Sequence, residues 1–132
     1  MSVPFDPTIL TRKTNANLTS KEWYLVRPVA GVDNDIELAG ATSGASGDSC
    51  IGALTNDVGD GSSNDIYVPV QIGGIIKVEV GGNCTAGALC MAMNGGKAID
   101  ATTGKHAFGI ALETYVNGDI GAFLWAPSFY KT

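Results

Sequence analysis

The residue types with the greatest chemical reach are few and scattered. His106 is the sole histidine, so any histidine-dependent triad has one candidate base. It lies in Gly104-Lys105-His106-Ala107, where a loop runs into an alternating segment. No Gly-x-Ser-x-Gly elbow presents a nucleophile to it, and a strand-edge imidazole is the simpler reading. The stretch Asp57 to Asp65 (DVGDGSSND) offers oxygen ligands for a hard cation such as Ca²⁺. It lacks the alternate ligands and the closing bidentate glutamate of a calcium loop. Asp, Asn, Ser and Gly are also what an ordinary surface turn uses, so no metal is expected. Cys50, Cys84 and Cys90 are odd in number and lack the paired spacing of zinc or redox sites. Each sits among small residues, which predicts small hydrophobes rather than reactive thiols. The glycine pairs at 73–74, 81–82 and 95–96 match neither phosphate-binding spacing and read as turns. No cofactor is expected. What remains is a set of aromatics, among them Trp125 and Tyr130, suited to a ligand site, a core or a subunit interface.

These side chains need a scaffold, and the periodicity describes one of short strands. Ile76-Lys77-Val78-Glu79-Val80 is the clearest, with β-branched residues facing one way and opposite charges the other. Ile66 to Ile72 reads as a strand whose Pro69 marks an edge or bulge. Ile36–Leu38 and the buried run Cys50–Leu54 precede it. Asn94-Gly95 predicts a hairpin pairing Ala88–Met93 with Lys97–Ile99. Asn117-Gly118-Asp119 predicts another, turning Ala107–Val116 back along Ile120–Trp125. That makes about nine strands. The single helix candidate, Ala86–Met93, is short and glycine-flanked and reads better as a strand.

The N-terminal portion differs. Residues 1–20 are rich in Pro, Thr, Asn and Ser, Pro4 and Pro7 favour extended backbone, and neither helical nor strand period appears. Trp23–Val26 follows as a strand or anchor, closed by Pro28. The expected organisation is an extended arm over 1–27 and a single β domain over 28–132. Arm residues 1–27 carry a net charge of +2, which leaves −7 on the remainder of a chain whose total is −5. Such a basic lead segment suits self-association or an acidic partner, or is ordinary surface charge.

With 132 residues the chain fits one domain. Its 18 glycines, without a Gly-X-Y period, exclude collagen, and 45% hydrophobic content excludes a disordered chain. Lys, Glu and Leu are too scarce for a helical bundle. The composition is all-β, and the expected fold is a small β-sandwich or barrel-like body with an extended N-terminal arm. An acidic body argues against nucleic acid or an anionic membrane as partner. No run approaches a membrane span, and the first residues lack the pattern of a signal peptide, so a reducing cytoplasm is the expected site of synthesis.

Several segments, in order and spacing, resemble the capsid cement (decoration) proteins of tailed bacteriophages. They are Leu38–Thr42, Ile51–Asp57, Val68-Pro69-Val70, Gly74–Gly82, Thr85-Ala86-Gly87, Asn94–Ala98 and Phe108–Glu113. The resemblance implies a β-sandwich or barrel-like body on the outer capsid surface of a virion, clamping neighbouring copies of the major capsid protein. It also implies a homo-oligomer, a trimer ahead of a dimer, and no catalytic residues. Arm residues Pro4, Phe5, Arg12 and Lys13 and the aromatics Trp23, Tyr24, Trp125, Phe129 and Tyr130 are the expected capsid or subunit contacts. For Trp125 a place in the core is an equal expectation. The alternative function is a β-rich carbohydrate- or receptor-binding module of a phage fibre or surface appendage.

Overall fold

The computed structural model describes residues 9–40, 47 and 49–130, the side chains of 128–130 excepted. Every regular element among them is a strand. In chain order they are β1 (Ile9–Thr14), β2 (Asn17–Leu18), β3 (Leu25–Pro28), β4 (Ile36–Leu38), β5 (Gly52–Leu54) and β6 (Gly59–Asp60). Then come β7 (Ile66–Gln71), β8 (Ile75–Glu79), β9 (Leu89–Ala92), β10 (Ala98–Asp100), β11 (His106–Ala111) and β12 (Ile120–Tyr130). Two five-stranded antiparallel sheets result, in the orders β1-β7-β5-β3-β4 and β10-β9-β11-β12-β8, with β2 and β6 forming a third, two-stranded one. The all-β, barrel-like expectation holds.

Each large sheet rolls until its outer strands meet. In the first, Lys13 on β1 bridges Asp35 just before β4, and the Thr14 hydroxyl donates to the Ile36 carbonyl at 2.8 Å. In the second, Val80 bridges Ala98 at the start of β10. Rolling removes free edges and creates two interiors. Val26, Ile36, Leu54, Val68 and Val70 fill one, with Leu18 from β2. Ile76, Val78, Val80, Phe108 and Phe123 dominate the other, where the two phenylalanine rings meet edge-on at 5.2 Å.

β3 and β5 form the wall between these interiors. Leu25 and Ala53 face the second core while their neighbours Val26 and Leu54 face the first. Strict alternation then serves two buried faces, which is why β5 reads as a continuous apolar run. Gly52 sits in this wall because a Cβ there would collide with the Gln71 carbonyl oxygen. A second close approach occurs where β11 meets β12. Ala107 faces Phe129 and Gly109 faces Trp125, so β12 advances four residues against two of β11. Pro127 falls within that bulge, where the ladder is already interrupted.

The N-terminal portion departs from the expectation of a separate arm. β1 pairs with β7 along its whole length, from Ile9↔Gln71 to Thr14↔Ile66, and Leu18 is 1% exposed. The expected boundary at 27/28 falls inside β3. Local sequence provides little strand signal there, but β7 provides a long-range hydrogen-bonding partner. Pro4 and Phe5 lie outside the described residues.

Candidate docking groove and sheet face

Arg12 is half-buried on β1 and lines three adjoining hollows. The largest, about 390 Å³, runs along the junction of the two large sheets. Its walls are Leu10 from β1, Pro28 from β3, Ile51, Ile72, and Trp125 and Pro127 from β12, with Cys50 beside them. It is apolar apart from the Arg12 guanidinium, whose Nη1 donates to Asn34 Oδ1 at 3.3 Å. A smaller hollow continues past Cys50 and Pro127 to Ser49 and His106. On the other side, Thr11, Lys13, Asn34 and the widely exposed Tyr67 surround a polar hollow. Asn34 has φ of 67°, a left-handed conformation that asparagine adopts more readily than most residues.

The neighbouring charges are ion-paired within the fold. Lys13 Nζ lies 3.2 Å from Asp35 Oδ1 and 3.3 Å from Asp65 Oδ2. Hydrogen bonds to these two carboxylates raise the Lys13 pKa above its usual value. Asp35 is 4% exposed, so Lys13 compensates a carboxylate that burial would otherwise penalise.

A second feature is the outer face of the β8-bearing sheet. Residues directly opposite in antiparallel strands share a face. Ile75 on β8 pairs with Leu124 on β12, Leu124 with Ile110 on β11, and Ile110 with Leu89 on β9. This aliphatic row crosses four strands, exposed at Ile75 and Leu124 and half-buried at Ile110 and Leu89. Ile75 is 59% exposed and Leu124 44%, and Ile120 and Leu112 extend the apolar character nearby.

The expected contact residues are thus divided. Arg12, Lys13 and Trp125 gather around the groove and its neighbouring hollows. Trp125 serves both expectations, since its ring also lies 6.2 Å from that of Phe108, against the second core. Trp23 and Tyr24 lie elsewhere. Trp23 has φ of 72°; its N–H donates to the Leu54 carbonyl at 2.9 Å and its carbonyl accepts from Glu79 N–H at 3.0 Å. Those bonds tie β5 to β8, while Lys77 lies over the indole at 5.6 Å. Tyr24 is 8% exposed and leaves little surface for a partner. The backbones of Phe129 and Tyr130 lie opposite Ala107 and His106.

The groups considered first for chemistry have structural partners. Asp57 accepts from the Ser20 N–H and Asp60 from the Ser62 N–H, so both carboxylates order turns. Cys84 and Cys90 are free thiols with no exposed surface. Donating a hydrogen bond to Cys84, together with burial, pushes the Cys90 thiol well above its usual range, which fits the expected inert, core character. Sequence reasoning did not identify Leu10, Ile51, Ile72 and Pro127, which only topology brings together. For Ile75 a signal existed, because adjacent apolar residues in Ile75-Ile76 cannot both face inward.

No family model matches the chain, and no curated protein matches it in sequence. Among solved structures it is similar to the crystal structure of the head fiber gp8.5 N base in bacteriophage phi29. The TM-score is 0.69, with 18% sequence identity, over 89% of this chain and 92% of that one. At that identity the likeness is one of fold: both chains share this double-sheet β architecture.

Proposed function

We propose that the chain is a structural component of a bacteriophage head, a cement or decoration protein that clamps neighbouring major capsid protein subunits on the outer surface. The observation that carries this reading is the fold likeness to a head-fiber base over 89% of the chain. The segments that resemble cement proteins in sequence order and spacing support it. So does the row Ile75–Leu124–Ile110–Leu89, exposed at Ile75 and Leu124, an apolar sheet face of the kind that marks a protein contact. Cementing repeats a modest contact by symmetry, so avidity supplies strength that no single site must hold. The active form in this proposal is a homo-oligomer, a trimer ahead of a dimer. The role requires no catalysis, cofactor, metal, nucleic acid or membrane. A second reading, the base of a fibre or receptor-binding appendage, is favoured by the fold neighbour's being a fiber base.

Purified full-length chain mixed with phage heads assembled without it tests the proposal by co-sedimentation. The expected result is saturable binding to heads, none to unassembled capsid protein, and a higher temperature of DNA release. No binding at saturating concentrations overturns it. Binding of the isolated chain to a host glycan, with none to heads, establishes the second reading instead.

A further inference from the structure

The groove at the sheet junction has a specific chemistry: a mostly apolar lining with one cation in it. Leu10, Ile51, Ile72, Trp125 and Pro127 supply the apolar walls and Arg12 the charge. Among the described residues, Asp35 in the adjoining hollow is engaged by Lys13 at 3.2 Å, while Arg12 donates to the neutral amide of Asn34. A guanidinium with an amide partner beside apolar walls suits an apolar peptide carrying a single carboxylate.

The chain contains such a peptide. Residues 1–8, Met-Ser-Val-Pro-Phe-Asp-Pro-Thr, hold Val3, Pro4, Phe5 and Pro7 around one charge, Asp6. The described chain begins at Ile9, next to the groove residue Leu10. We propose that residues 1–8 of a second copy occupy this groove, Phe5 against the apolar walls and the Asp6 carboxylate on Arg12. The same contact within one chain is restricted by chain length. β1 is extended from Ile9, so Arg12 lies about 10 Å along the strand from the segment's junction. Asp6 would have to double back over that distance with only Pro7 and Thr8 between it and β1. A partner's segment has no such restriction. The exchange rests on the self-association in the proposed function and not on head binding.

The test is sedimentation velocity of the full chain without phage heads, comparing wild type, Asp6→Arg, Arg12→Asp, both changes in one chain, and an equimolar mixture of the two single variants. Wild type is expected to be oligomeric. Each single change should raise the concentration needed for assembly by about ten- to a hundredfold. Mixing the single variants should restore assembly in part, because a groove and a segment of opposite charge meet wherever the two variants adjoin, in every contact of a dimer and in two of the three contacts of a trimer. Phe5→Ser, which leaves Arg12 intact, should weaken assembly as well. A monomeric wild type, or assembly indifferent to Asp6→Arg and Phe5→Ser, overturns the proposal. Rescue by the double variant but not by mixing overturns the second-copy assignment and places the segment in its own groove. Because heads are absent, failure here leaves the head-binding result to be judged separately.

Discussion

The Tyr24 hydroxyl and the Lys97 ammonium converge on one oxygen, Glu79 Oε2, at 3.2 and 3.0 Å. Burial, reinforced by the Glu79 carboxylate, pushes the Tyr24 phenol above its usual 10.0, and the hydrogen bond to Glu79 raises Lys97 above 10.5. Both groups therefore hold their protons to higher pH in the folded chain than in the unfolded one. Their contribution to stability is complete below about pH 10 and is lost as pH rises through the folded values. Lys13, raised by Asp35 and Asp65, acts with the same sign. The urea midpoint should fall on the alkaline side of pH 10, and Tyr24→Phe should make that fall shallower. An unchanged slope in the variant would assign the alkaline loss to other groups. Lys13→Met should lower the midpoint at neutral pH, since it leaves the buried Asp35 without its ion-pair partner.

At the scale of elements, the wall formed by β3 and β5 is where substitutions should be felt most. Gly52→Ala forces a methyl group against the Gln71 carbonyl and should cost about 1–3 kcal/mol, measured by denaturant unfolding. Leu124→Lys on the outer face should stay within about 0.5 kcal/mol of wild type. The same change should weaken co-sedimentation with heads, so the two measurements separate folding from contact. Much of this element plan was legible in the sequence. Ile76, Val78 and Val80 alternate as their inward placement demands, and Asn94-Gly95 marks the turn between β9 and β10. β1 was not legible, because Ile-Leu-Thr-Arg-Lys-Thr has no clean period and owes its strand to a distant partner, β7. The predicted strand Ala107–Val116 ends at Ala111, after which Tyr115 leaves to bridge Cys84. The groove was half legible. Arg12 and Trp125 announce themselves by type, whereas Leu10, Ile51 and Ile72 become a site only once two sheets meet.

The whole molecule is two rolled sheets sharing a wall, with most of its charge carried by an acidic body and its groove governed by one arginine. The proposed cement role would use an apolar sheet face against the capsid and, in the proposed exchange, the groove against a second copy. The most direct test of the proposed role is a cryo-EM density map of phage heads assembled with this chain, compared with heads assembled without it. Density matching the double-sheet body is expected on the outer capsid surface, between capsid subunits and absent from the second map. Identical outer surfaces in the two maps, with the chain found elsewhere or not at all, would contradict it.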